Sequence, residues 1–182
     1  MTARFVLLGM LIAAAPAAVQ AQRVMLGANV GGASANSDLA SNTDWKNGWS
    51  AGANLTYRLN TRLGLRADAN FAQNDLAGGV AIPGEQRFNK ISYIADAVVQ
   101  GQPTMKLMPY LLAGVGAVRI HDKGSDSSFT RFAGNLGVGV GYSLGKVGLR
   151  AEGRDLIYKF DRFGYSKAQN DMLWQAGLTL KL

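Results

Sequence analysis

The chain has no cysteine, one histidine (His121) and only 4 prolines among 182 residues. Without cysteine there is no disulfide framework, no thiol nucleophile and no thiolate metal site. A single imidazole excludes a multi-histidine metal centre, and no metal or other cofactor is expected. Charge is also sparse: Asp, Glu, Lys and Arg make up 17% of the residues, against 48% hydrophobic. That composition is too oily for a disordered chain. Yet no run of 18 or more apolar residues follows residue 21, so no membrane-spanning helix is expected there.

What is abundant is glycine, 23 residues without a collagen period, which suits tight turns and small side chains on a crowded surface. The formal charge is +7. The basic residues occur singly rather than as a patch, and no nucleic-acid partner is expected. Residues 1–21 read as a secretory signal peptide: Arg4 supplies the positive start, Phe5 to Ala18 the apolar stretch, and Val19-Gln20-Ala21 the small residues before cleavage. Residues 22–182 then form one domain.

That domain alternates apolar and small or polar residues with period two, the mark of strands. The pattern predicts eight strands, over about 23–33, 48–59, 63–73, 89–100, 107–120, 130–144, 147–157 and 170–182. In the last, Met172, Trp174, Ala176, Leu178, Leu180 and Leu182 share one face, and Leu173, Gln175, Gly177, Thr179 and Lys181 the other. In the fifth, Leu111, Ala113, Val115 and Ala117 are placed outward and the glycines inward. Short connections (60–62, 101–106 and 145–146) alternate with long ones (34–47, 74–88, 121–129 and 158–169). A final apolar strand has an edge to hide, and pairing it with the first strand hides it. The expectation is a closed eight-stranded antiparallel up-and-down transmembrane β-barrel.

Orientation separates this from a soluble lipocalin-like barrel, which is apolar inside. The polar face carries Arg58, Arg66, Asp68, Asn70, Asp96, Asn135, Arg150, Glu152 and Arg154, spaced by glycines. Charges of both signs between glycines fit a narrow lumen filled by paired side chains. The apolar face carries Trp49 and Tyr57 on one strand and Phe132 and Tyr142 on another, eight and ten residues apart. That separation spans roughly 20–25 Å on a tilted strand, the height of an apolar band between two aromatic girdles. Tyr93 and Trp174 are expected to join the outer girdle. A hairpin also recurs. Tyr57-Arg58-Leu59 leads into Gly64-Leu65-Arg66-Ala67-Asp68, and Tyr142-Ser143-Leu144 leads into Gly148-Leu149-Arg150-Ala151-Glu152. The two copies place Arg–acid pairs on opposite sides of an eight-stranded ring, where they are expected to form an interior ionic plug. Gly134–Gly141 falls within a strand pattern and opens no helix, so it is not a phosphate loop.

These hairpins, the segment Pro109-Tyr110-Leu111-Leu112-Ala113-Gly114-Val115-Gly116 and the ending Gln175-x-Gly177-x-x-Leu180-x-Leu182 resemble the small outer-membrane β-barrel superfamily, which includes the OmpA transmembrane domain, OmpX and OmpW-type proteins. The resemblance implies the outer membrane of a Gram-negative bacterium, contact with membrane lipid and lipopolysaccharide, and insertion by the barrel assembly machinery. Gln175, Gly177, Leu180 and Leu182 would be its recognition signal, although the family usually ends in an aromatic residue. The expected function is structural, adhesive or weakly pore-forming, and non-enzymatic. Two alternatives stand beside it. One is a lipid A-modifying enzyme using His121 and the Ser and Asp residues expected around it in the third long loop. The other is a soluble periplasmic lipocalin-like binder. Oligomeric state is not fixed by the sequence.

Overall fold

The computed structural model describes residues 23–35, 44–45, 47–77, 87–102, 106–122, 127–162 and 165–182. The segment expected to be a cleaved leader, residues 1–21, lies outside them. The described residues form strands β1 (Val24–Ala35), β2 (Asp44–Trp45), β3 (Gly48–Arg58), β4 (Leu63–Ala77), β5 (Arg87–Gln100), β6 (Leu107–Asp122), β7 (Ser127–Leu144), β8 (Val147–Arg162) and β9 (Tyr165–Lys181). Every pairing is antiparallel. β1 lies between β3 and β9, consecutive strands follow one another round the ring, and β4 pairs with both β3 and β5. The ring is therefore closed with eight staves, and β2 is a two-residue rung added to the far end of β4.

The period-two pattern decides which way each stave faces. On β7, Phe132, Leu136 and Val138 are exposed while Ala133 and Asn135 are buried. On β6, Leu111 and Val115 are exposed while Leu112 and Val118 are buried, so the glycines between them face inward. The outer surface bears the apolar residues and the lumen bears most of the charge. This is the reverse of a soluble barrel, and it satisfies every mid-strand backbone group within the ladder.

One end of the ring is made of tight turns. Asn60 Oδ1 accepts from the backbone N–H groups of Arg62 and Leu63, both at 2.8 Å, and so closes the β3–β4 connection. The β7–β8 turn uses Gly145 at φ 80°, a conformation that costs a side-chain-bearing residue roughly 1–2 kcal/mol. Nothing lies within 4 Å of a Cβ built there. Gly145→Ala is accordingly expected to lower stability by about 1 kcal/mol through the backbone alone. Urea titration of the lipid-embedded barrel should show that shift with unchanged mobility of the folded band on a gel. A null shift would mean that the turn readily adopts another form.

The opposite end differs from the sequence expectation. β6 continues to Asp122 and β7 begins at Ser127, leaving only 123–126 between them. Only 163–164 separates β8 from β9. Short and long connections therefore do not alternate strictly, and His121 belongs to β6 rather than to a loop. The reason is physical. An 18-residue strand, rising about 3.3 Å per residue at a tilt of about 40°, climbs roughly 45 Å, well beyond an apolar band of about 25 Å. Past the band both faces meet water or polar neighbours. The hydrophobic alternation then fades while the hydrogen-bonded ladder continues.

Candidate functional site

The lumen holds the chain's chemistry in layers. In its middle, Arg66 on β4 reaches across to Glu152 on β8. Nη1 and Nη2 donate to Oε2 and Oε1 at 2.8 Å each, a two-pronged pairing. Tyr110 donates to the same carboxylate at 2.7 Å. Arg154 donates to Asp68 at 2.8 Å and to Asp96 at 3.5 Å, and Asn135 donates to Asp96 at 2.7 Å. Arg66 also lies 3.5 Å from Asp68 and 3.8 Å from Asp96. The side chains of Arg66, Asp68, Asp96, Glu152 and Arg154 are each 3% exposed or less. Small residues create the room. Gly114 lies beside Asp96 in the register, and a Cβ there would collide with the Asp96 carboxylate.

The repeated hairpin does bring its arginines and acids to one interior, but the partners differ from the sequence expectation. Arg66 keeps Asp68 of its own copy at 3.5 Å, but its two-pronged partner is Glu152 of the other copy, and Asp68 also binds Arg154. Arg150 and Arg58 stand outside the ion pairs among the described residues. Arg150 Nη1 donates to Asn54 Oδ1 at 3.0 Å, while its Nη2 and the Arg58 Nε are buried without an acceptor. Both lie nearer the tight turns than the three carboxylates do.

Beside the ionic layer runs a neutral polar chain. Asn29 Nδ2 donates to Gln175 Oε1, and Gln175 Nε2 donates to Ser50 Oγ at 3.0 Å. Towards the open end the lumen turns apolar, with Ile94, Val118, Ile120, Ala133, Leu156 and Tyr158 forming one buried cluster. Sequence reasoning missed this layer. Its signal was the run of large aliphatic residues at inward phase, such as Ile94 and Leu156. A second ionic group covers it: Lys90 Nζ lies 2.6 Å from Asp171 Oδ2, and Tyr158 donates to the same oxygen at 3.0 Å.

The aromatic residues expected at the lipid face are on the outer surface. Trp49, Tyr93, Phe132, Tyr142 and Trp174 are exposed, Phe132 most of all at 73%, and Tyr57 is partly so. Register places Gly32 between Trp49 and Trp174, and Ala117 between Tyr93 and Phe132. Tyr57 and Tyr142 lie at the turn end of their strands. Of the expected assembly residues, Gln175 faces the lumen, Gly177 lies beside Asn29 and Arg150 in the register, and Leu180 and Leu182 are exposed. His121 is paired in register with Ser128, whose Oγ accepts from Arg119 at 3.1 Å. Among the described residues no group of three or more His, Asp or Glu side chains converges as a metal site would require.

A closed ring of eight staves, oily outside and ionic within, is the architecture of a small transmembrane barrel. The chain belongs to the outer membrane protein β-barrel domain family, whose model matches residues 4–181. It is an outer-membrane protein. Its fold is similar to that of Neisserial surface protein A, with a TM-score of 0.65 and 24% identity over 87% of this chain and 97% of that one. It is also similar to the N-terminal β-barrel domain of Pseudomonas aeruginosa OprF, with a TM-score of 0.55 and 16% identity over 87% of this chain and 97% of that one. No curated protein sequence matches the chain.

Proposed function

We propose that the protein is a non-enzymatic structural barrel of the outer membrane. Its projecting strand ends would provide a contact surface, and its filled lumen would be sealed to solutes. The observation that carries this reading is the dry cross-section of the lumen, where five charged side chains from β4, β5 and β8 are each 3% exposed or less. Eight strands enclose an interior about wide enough for side chains alone, and here those side chains bind one another. The apolar cluster beyond adds a second obstruction.

The tight turns would face the periplasm and the longer strand ends the exterior, where loops and rims carry recognition. Lipid and lipopolysaccharide would meet the aromatic residues. Residues 1–21 would be removed on export, and Gln175, Gly177, Leu180 and Leu182 would present the signal read by the barrel assembly machinery. The test is electrical. Purified protein in planar lipid bilayers is expected to pass no steady current above that of bare lipid. A reproducible open state in the unaltered protein would overturn the sealed-barrel reading.

A further inference from the structure

The turn end of the lumen carries cations without matching acids. A cavity of about 80 Å³ lies there, and its lining includes Thr56, Arg58, Arg66, Ser143, Arg150 and Lys181 but no Asp or Glu. Arg150 is only 8% exposed, its Nη1 is held by Asn54 at 3.0 Å, and its Nη2 is buried without an acceptor. The Arg58 Nε is buried in the same condition, and Lys181 Nζ donates to Ser143 Oγ at 2.7 Å. Charge counting across the neighbouring layer leaves an excess. Among these side chains, Arg58, Arg66, Arg150, Arg154 and Lys181 supply five positive charges against three from Asp68, Asp96 and Glu152, a side-chain excess of two. Glu152 cannot absorb that excess, because both its oxygens already accept from Arg66 and one from Tyr110.

Uncompensated buried charge is costly, and a concave site of one sign with low-dielectric walls concentrates ions of the opposite sign. We propose that this vestibule binds a small free oxyanion of the phosphate class. The guanidinium groups of Arg150 and Arg58, which line the cavity, are the donors and Lys181 is a supporting point charge. Guanidinium groups suit such oxyanions because their planar N–H forks match tetrahedral oxygen edges. A cavity of about 80 Å³ suits one small oxyanion. Lipid headgroups lie outside the ring, on the other side of the strands.

Isothermal titration of the folded barrel in lipid-free maltoside micelles tests this, with sodium phosphate replacing sodium chloride at constant ionic strength. One saturable site is expected, weakened at least tenfold in both Arg150→Gln and Arg58→Gln. Folding of each variant is checked by the mobility difference between boiled and unboiled samples. Should Arg150→Gln fail to fold, Arg58→Gln decides, because Arg58 is only half-buried. A parallel arm adds short-chain phosphatidylglycerol without phosphate. Absence of saturable heat with phosphate, undiminished affinity in the variants, or saturable heat with the lipid alone would each overturn the proposal.

Discussion

Arg66→Ala is expected to lower the unfolding free energy of the barrel by about 3–5 kcal/mol, the usual cost of removing one partner from a buried ion pair. The reason lies in what remains. Glu152 keeps only Tyr110 at 2.7 Å and a 3.8 Å approach from Arg154. Asp68 and Asp96 must then share Arg154, the one cation among the described residues left within ion-pair distance of the three buried carboxylates. Replacing both Arg66 and Glu152 by apolar residues of similar size should cost much less than the sum of the two single changes, because no charge is then stranded. Urea unfolding of lipid-embedded protein, run as a double-mutant cycle, measures the coupling. Additive single and double effects would show that the pairing seen across the lumen contributes nothing to stability.

Val138→Arg is expected to cost about 2–4 kcal/mol, whereas Leu144→Arg should cost about 1 kcal/mol or less, because the penalty for a lipid-facing cation depends on its depth. Both residues lie on the outward face of β7 and are exposed to nearly the same degree, at 58% and 56%. They differ in height. Val138 sits between Phe132 and Tyr142, whereas Leu144 lies beyond Tyr142 at the tight turn. A long basic side chain near the turn can snorkel to the headgroups, and one at mid-height cannot. The same urea titrations in lipid vesicles make the comparison. Equal costs at the two positions would mean that the aromatic residues do not mark the edges of the apolar band.

Much of this was legible from residues alone. Alternation in 130–144 fixed which side chains of β7 face outward. The spacing of Arg66 and Asp68, and of Arg150 and Glu152, placed charge within the lumen. What remained hidden was the pairing across it. Which inward residue meets which depends on the shear of the closed ring, and no local pattern records that value. Glu152, which the hairpin repeat sets beside Arg150, therefore binds Arg66 across the lumen, and Arg154, four residues beyond Arg150 on β8, binds Asp68. The apolar cluster was hidden for a different reason. Period two says only that Ile94, Val118 and Leu156 point inward. Nothing in the spacing says that they gather at one height and close the bore. The extended strand ends escaped because hydrated strands lose the contrast between their faces while their hydrogen bonds continue.

The stacking of an ionic layer under an apolar one gives the barrel two stoppers in series that respond differently to temperature. Cold weakens the apolar stopper and leaves the ionic one, and salt, which screens buried pairs far less than exposed ones, leaves both in place.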